Sequence, residues 1–156
     1  MSQIVKGHII FDHDGTLVKV DRNGFQLFPG MKDFIVELKQ NNFEIYIWTA
    51  RNRFSTLASI KQIGISEYLT DIYCADDGMM KPHPMGPNKL LGGVPKNKII
   101  HIGDSETDLQ GAINFGIDFI YAAWNDLSLG ELYKSRTPFV AHNVLECKKI
   151  IDYKFN

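Results

Sequence analysis

The 156-residue sequence predicts an α/β fold in which a parallel sheet is covered by helices on both faces. Two observations lead to this prediction. Short apolar runs alternate along the chain with amphipathic stretches of helical periodicity, which is the rhythm of repeated strand–helix–strand units. Acidic and other polar residues stand where the predicted strands end, and parallel sheets bind ligands beyond the carboxyl ends of their strands. The sequence therefore predicts the fold class and the edge of the sheet that carries a site.

Each predicted strand is a short run of apolar residues, several of them β-branched or aromatic. The first run directly precedes a pair of acids, and the second, "FEIYIW", is rich in the residue types that strands prefer. The third has the weakest pattern, whereas "KIIHI" and "DFIYAAW" are well marked. The predicted strands cover residues 9–11, 43–48, 72–75, 98–102 and 118–124.

The predicted helices are recognised by apolar residues at helical spacing and by glycines that end them. Met31, Phe34 and Leu38 repeat at this spacing in the first helix. Gly64 and Gly116 are the expected ends of the second and fourth helices. The third is short, and the last lies near the end of the sequence. The predicted helices cover residues 31–41, 53–63, 86–92, 105–115 and 143–151.

Residues 17–29, between the first strand and the first helix, interrupt the alternation. Residues 18–20 and 25–27 could pair around the turn "DRNG", in which Asn23 and Gly24 are a typical hairpin dipeptide. A small hairpin flap beside the acids is the favoured interpretation, and a plain surface loop is the alternative.

The length suits one domain, residues 1–156, and an apolar fraction of 44% is enough for a hydrophobic core. The net charge of -1 provides no basic field for nucleic acid or for an anionic membrane. Cys74 and Cys147 form no CxxC pair, which argues against a disulfide framework or a zinc knuckle and fits a reducing compartment. No apolar run suits a signal peptide or a membrane helix. We therefore expect a cytoplasmic protein.

Asp12 and Asp14 stand two residues apart where the first strand ends. Neighbouring carboxylates rarely ionise together without a cation, so they share a proton, bind a metal or take different roles. Asp104 follows the fourth predicted strand, which parallel pairing could place beside the first, and Asp108 lies one helical turn further on. Because the site is rich in carboxylates and poor in His or Cys, we expect a hard cation, Mg²⁺.

Two other strand ends supply groups that suit a phosphoryl group. Thr49 offers a hydroxyl and Lys81 an ammonium, which together with a metal could neutralise a phosphate. One carboxylate could attack phosphorus, and a second could act as general acid and base. Each residue alone also has a purely structural explanation. Ser105 and Asp108, for example, fit a helix capping box. Their order, each at a strand end, favours a site for phosphoryl transfer.

The segments "DHDGT", the Thr of "WTAR", the Lys of "KPHP" and "GDSETD" resemble the four motifs of the haloacid dehalogenase (HAD) superfamily, in its phosphatase branch. The resemblance implies a Rossmann-like, three-layer α/β/α fold with a mostly parallel five-stranded sheet in the order 5-4-1-2-3. The segments between the first three motifs are too short to hold a folded cap domain. The sequence is therefore similar to capless members, such as the small magnesium-dependent phosphatases.

The resemblance also implies roles for single residues. Asp12 is the expected nucleophile and a metal ligand, and Asp14 is the expected general acid and base, whose backbone carbonyl also binds the metal. Asp104 is the third expected metal ligand, and Thr49 and Lys81 complete the catalytic set. The expected phosphate-binding residues are His13, Gly15, Thr49, Ala50, Arg51 and Lys81, and the expected supporting residues are Thr16, Ser105 and Asp108.

The implied function is Mg²⁺-dependent hydrolysis of phosphomonoesters through an aspartyl phosphate on Asp12. An open cleft suggests a phosphoprotein substrate with a phosphotyrosine-like side chain, and a small metabolite such as a sugar or sugar-acid phosphate is the alternative. A phospho-acceptor signalling module resembling a response-regulator receiver uses similar groups but has no DxDGT, and a non-catalytic binding module is a third possibility. The expected partner is a phosphorylated substrate, with neither nucleic acid nor membrane, and an oligomer is possible.

Overall fold

The computed structural model describes residues 4–156, so residues 1–3 of the predicted domain lie outside it. The strands are β1 Gly7–Phe11, β2 Val18–Asp21, β3 Gly24–Leu27, β4 Phe43–Trp48, β5 Asp71–Tyr73, β6 Ile99–Gly103, β7 Asp118–Ala122 and β8 Phe139–Ala141. The helices are α1 Met31–Gln40, α2 Arg53–Ile63, α3 Met85–Leu91, α4 Glu106–Phe115, α5 Gly130–Tyr133 and α6 Val144–Phe155. Strands and helices alternate after the hairpin β2–β3, as predicted.

Six parallel strands form the central sheet, in the order β5-β4-β1-β6-β7-β8. When the two hairpin strands are left out and the remaining strands are numbered along the chain, the observed order is 3-2-1-4-5-6. This is the predicted order 5-4-1-2-3 read from the other edge, with a sixth strand added after the fifth. The prediction of five strands is therefore wrong in number. The added edge strand β8 has three residues, so it is too short to show a period in the sequence. It directly follows Pro138.

Alternate residues of the sheet pack into two hydrophobic cores, one on each face. Ile9 and Phe11 pack with residues of α1, α2 and α6, whereas Ile10 between them packs with residues of α3, α4 and α5. All three side chains are fully buried, and burial of a side chain of this size contributes about 1.5–3 kcal/mol. Helices therefore cover both faces, which confirms the predicted three layers.

The predicted flap is a true β-hairpin. Its antiparallel strands β2 and β3 pair Val18 with Leu27 and Asp21 with Gly24. Gly24 lies against the side chain of Gln62 in α2, so the hairpin rests on that helix. The alternative of a plain loop is therefore wrong, and the hairpin has a fixed place beside the first strand.

Two further sequence features can be checked in the fold. Cys74 and Cys147 are both free and buried. Among residues 4–156, no helix has the length and apolar character needed to cross a membrane.

Candidate active site

The candidate site lies at the carboxyl ends of β1, β4 and β6. Phe11, the last residue of β1, pairs with Ile47 of β4 and with Ile102 of β6. Asp12 follows Phe11 directly, and its backbone N–H donates to the carbonyl of Ile102 at 2.9 Å. Asp104 follows the end of β6. The parallel register thus brings together acids that are far apart in the sequence.

A cavity of about 500 Å³ opens at this edge of the sheet. It is lined by Asp12, Asp14, Thr49, Ala50, Arg51, Asn52, Lys81, Asp104, Ser105 and Thr107. The structure therefore brings most of the predicted site residues around one space. The predicted residues that do not line it are His13, Gly15, Thr16 and Asp108, whose contacts are described below.

Three carboxylates converge beneath the cavity. Asp12, Asp104 and Asp108 each offer an oxygen within 4.8 Å of the other two. Burial, and next the neighbouring carboxylate of Asp12, raise the pKa of Asp104 to about 8. Two carboxylates this close cannot both ionise easily without additional positive charge. A hard divalent cation would supply that charge, and an all-oxygen donor set suits Mg²⁺.

Lys81 supplies one positive charge to this cluster. Its side chain is 3% exposed, and its Nζ donates to Asp12 Oδ1 at 2.8 Å and to Asp108 Oδ1. Burial alone would lower the pKa of Lys81, but the carboxylates of Asp12 and Asp108 outweigh it and raise that pKa above its usual value. Lys81 therefore stays charged at neutral pH and neutralises part of the acidic cluster.

Asp108 is fully buried and its oxygens are largely occupied by donors from the protein. Its Oδ2 accepts from the Ser105 hydroxyl at 2.8 Å and from the Asp104 N–H at 3.1 Å, and Ser105 and Asp108 form a capping box at the start of α4. Its Oδ1 accepts from Lys81 and lies 3.4 Å from His101 Nε2. These contacts suit a residue that holds Lys81 and the Asp104 loop in place.

The tight turn after β1 depends on Gly15. Its φ of +82° lies in the left-handed region, and a Cβ there would lie 2.1 Å from Asp104 Oδ2. The next residue, Thr16, donates its hydroxyl to Asp12 Oδ2 at 3.2 Å. The Thr16 carbonyl in turn accepts from the indole of Trp124 at 2.9 Å. The turn thus orients Asp12 and leaves room for Asp104 beside it.

Asp14 is held on the other side of the cavity by three donors. Arg51 donates to both of its oxygens, from Nε at 3.0 Å and from Nη2 at 2.5 Å, and His13 Nδ1 donates at 2.6 Å. The His13 ring is fully buried, and its Nε2 is hydrogen-bonded to the Ser59 hydroxyl at 2.7 Å. The His13 side chain therefore orients Asp14 from outside the cavity.

These contacts fix the charge of Asp14. Partial burial alone would raise the pKa of Asp14, but the hydrogen bonds from His13 and Arg51 outweigh it and hold that pKa well below its usual range. In this arrangement Asp14 is a carboxylate and has no proton to donate.

Thr49 and the three residues after it also line the cavity. The Thr49 side chain is nearly buried, and its Oγ1 accepts from the Arg51 backbone N–H at 3.0 Å. The Arg51 Nη1 donates to Ser55 Oγ at 2.7 Å, and its guanidinium carbon lies 4.9 Å from the centre of the Phe25 ring. The hairpin thus contributes an aromatic support for Arg51.

Sequence reasoning missed several residues that contribute to the site. Asn52 and Thr107 line the cavity, and both had a signal, since each belongs to the start of a helix that follows a predicted strand end. Ser59, His101 and Trp124 act through contacts with residues far away in sequence. Nothing in the local pattern marks those three.

Comparisons with known proteins identify a family and several relatives that this chain resembles. The family described as haloacid dehalogenase-like hydrolase matches residues 19–122, a range that includes Thr49, Lys81 and Asp104 and begins after Asp12 and Asp14. A phosphoglycolate phosphatase of Yersinia pestis is 32% identical over 106 residues, which are 66% of this chain and 45% of the relative. A pyrophosphatase, PpaX, of Halalkalibacterium halodurans is 27% identical over 93 residues, which are 58% of this chain and 43% of the relative. The chain thus spans less than half the length of these relatives.

A solved structure shows the same fold over the whole chain. The HAD-superfamily hydrolase of Ehrlichia chaffeensis superposes with a TM-score of 0.80 at 18% identity and covers 100% of both chains. At this identity the likeness concerns the fold, and it supports the Rossmann-like architecture predicted from the sequence.

Proposed function

The chain belongs to the haloacid dehalogenase-like hydrolase family, and from that premise we propose that it is a Mg²⁺-dependent phosphatase of small phosphate esters. One observation carries the proposal. Asp12 points into the cavity with a charged Lys81 on one oxygen and the Thr16 hydroxyl on the other, beside a second carboxylate from Asp104. A carboxylate oriented in this way is suited to attack phosphorus.

The proposed reaction has two steps. In the first, a carboxylate oxygen of Asp12 forms a bond to phosphorus, the bond to the leaving alcohol breaks, and that alcohol takes a proton from Asp14. In the second, water attacks phosphorus, Asp14 takes its proton, and the bond to Asp12 breaks. Lys81 offsets negative charge on Asp12 and the phosphoryl group throughout, and Thr49 holds a phosphoryl oxygen.

Asp14 must leave Arg51 before it can act as an acid. In the structure it is ionised and held by two donors of Arg51 and one of His13. A carboxylate has to bind a proton before it can give one to the leaving oxygen, and loss of the Arg51 contact would make that easier. We therefore assign the described geometry to the resting state of the site.

Asp12 and Asp104 would hold the Mg²⁺ through their side chains, and the backbone carbonyl of Asp14 is the proposed third protein ligand. The ion, when bound, would neutralise charge on the phosphoryl oxygens. The raised pKa of Asp104 supports this assignment, because burial, and next the Asp12 carboxylate, disfavour its charged form and a bound cation would favour it.

The substrate proposal follows the small-metabolite alternative. The curated relatives are named for phosphoglycolate and pyrophosphate, which are small anions, and they do not favour the phosphoprotein substrate that an open cleft suggests. The cavity of about 500 Å³ fits a phosphate group together with a short organic part. We therefore place small phosphorylated acids and sugars ahead of phosphotyrosine peptides.

A panel of phosphorylated compounds with and without Mg²⁺ tests the proposal. It should contain phosphoglycolate, pyrophosphate, sugar phosphates and phosphotyrosine peptides. Small metabolites should be hydrolysed only with Mg²⁺, Asp12→Asn should reduce their kcat by several orders of magnitude, and the control Asp152→Asn, at an exposed site of α6, should retain it. Full activity of Asp12→Asn would refute the role of Asp12, and a preference for the peptides would refute the substrate class.

A further inference from the structure

Arg51 is the cationic side chain of the cavity wall that faces Asp14. Its side chain is 24% exposed, and its partner Asp14 is 46% exposed. Both residues line the cavity. The guanidinium of Arg51 is therefore directed at a carboxylate that a bound molecule can reach.

Lys81, the other cationic residue that lines the cavity, is paired with two buried carboxylates. Lys81 is almost completely buried and is shared between Asp12 and Asp108, so its charge is committed to the acidic cluster. Arg51 is fixed by Ser55 and by the ring of Phe25, contacts that would remain if it released Asp14. Arg51 is thus a planar cation whose guanidinium has two further supports, and Asp14, the anion that it pairs with, is open to the cavity.

We propose that Arg51 selects phosphate esters that carry a second anionic group, a carboxylate or a further phosphate, a few bonds from the phosphoryl group. This inference rests on the proposed function, because it places the phosphoryl group between Asp12, Thr49 and Lys81. The second anion then reaches Arg51 across the cavity and takes the position that Asp14 occupies in the resting site. A guanidinium binds a carboxylate or a phosphate through two parallel hydrogen bonds. The second anion can therefore make the same pair of hydrogen bonds to Arg51 that Asp14 makes in the resting site.

The exchange gives the second anion two effects. It adds a charged hydrogen-bonded contact to binding, and it frees the Asp14 carboxylate to turn towards the leaving oxygen. An ester without a second anion would have to separate Asp14 from Arg51 with no replacement partner for the guanidinium. Such substrates should bind and react less well, which makes Arg51 a specificity-determining residue.

The neighbouring Arg53 provides a matched control. It also forms a two-fold contact with a carboxylate, from Nε to Asp77 Oδ1 at 2.9 Å and from Nη2 to Asp77 Oδ2 at 2.7 Å. Arg53 and Asp77 do not line the cavity. The same substitution at the two positions therefore separates a role in ligand selection from the general effect of losing an arginine–aspartate pair.

Equilibrium binding of two phosphonates tests the proposal without turnover. Phosphonoacetate and methylphosphonate differ only by the carboxylate, and both can be titrated in a calorimeter with Mg²⁺ present. The wild-type chain should bind phosphonoacetate roughly tenfold to a hundredfold more tightly, as expected for one charged contact. Arg51→Gln should lose most of this preference, Arg51→Lys should keep part of it, and Arg53→Gln should keep all of it.

Equal binding of the two phosphonates by the wild-type chain would overturn the inference, as would an unchanged preference in Arg51→Gln. The wild-type comparison can overturn the inference without any variant, and Arg51→Lys assigns a preference to Arg51 if Arg51→Gln does not fold. Failure of the hydrolysis panel would remove the proposed function without altering the binding preference. Hydrolysis with no binding preference would remove the inference alone.

Discussion

Replacement of Lys81 by Met should destabilise the protein strongly, because it removes the counter-charge of two buried carboxylates. Met keeps most of the length and the apolar stem, which lies near the Trp48 ring with Nζ 5.5 Å from the ring centre. The variant therefore loses the ammonium and little packing. Asp12, at 7% exposure, and Asp108, at 0%, would be left without their shared partner.

The size of the effect follows from the burial. Breaking a buried ion pair by removing one partner costs about 3–5 kcal/mol. For a chain of this size each kcal/mol corresponds to about 2–4 °C in Tm, so the loss should be about 6–20 °C at pH 7.5. Lys81 lowers the pKa of Asp108, so this stabilisation is present above the pKa of an unfolded aspartate, about 4, and is lost as the pH falls. The difference between the two proteins should therefore persist down to about pH 4 and shrink below it.

Thermal unfolding followed by circular dichroism at pH 7.5 and pH 3 gives both quantities. Lys89→Met, at an exposed position of α3, is the control and should change stability by less than about 0.5 kcal/mol. A Lys81→Met variant that unfolds within about 2 °C of the wild type at pH 7.5 would contradict the buried ion-pair cluster.

Three further outcomes are expected. The pKa of Asp104 is raised to about 8, so the folded chain binds more protons than the unfolded one between about pH 4 and pH 8, and its stability without metal falls over that range. Mg²⁺ should therefore raise Tm more at pH 8.5 than at pH 6, and an equal rise at both would contradict this. Gly15→Ala should weaken Mg²⁺ binding, measured as the Mg²⁺-induced shift in Tm, whereas Gly93→Ala, where no atom lies within 4 Å of the added Cβ, should not. Trp124→Phe removes the hydrogen bond to the Thr16 carbonyl and should cost about 0.5–1.5 kcal/mol, and an unchanged urea midpoint would show that this bond contributes nothing.

The parts of the fold that could be predicted are those determined by residues close together in the sequence. Helix ends at Gly64 and Gly116 and the hairpin dipeptide Asn23–Gly24 depend on a few neighbouring residues, and the structure has them where they were expected. The edge strand β8 and the short helix α5 could not be predicted in this way. Each has only three or four residues, and their place is set by packing against β7.

The candidate site also has a part that could be predicted from the sequence and a part that could not. The parallel sheet brings its strand ends to one edge, so the positions of Asp12, Thr49 and Asp104 follow from their order in the sequence. The partner of Asp14 does not, because Arg51 lies 37 residues away and either residue alone is an ordinary surface charge. Only the folded chain shows that the proposed acid is ionised and paired.

The most direct measurement of the central claim is the covalent state of Asp12 during turnover. A wild-type sample mixed with Mg²⁺ and phosphoglycolate, quenched in acid within the first turnovers and digested, should yield the peptide that contains Asp12 with the added mass of one phosphoryl group. With p-nitrophenyl phosphate, whose leaving group needs no acid, Asp14→Asn should accumulate more of this adduct, because hydrolysis of the intermediate loses its base. Turnover without any such adduct, or an adduct on another residue, would contradict the assignment of Asp12 as nucleophile.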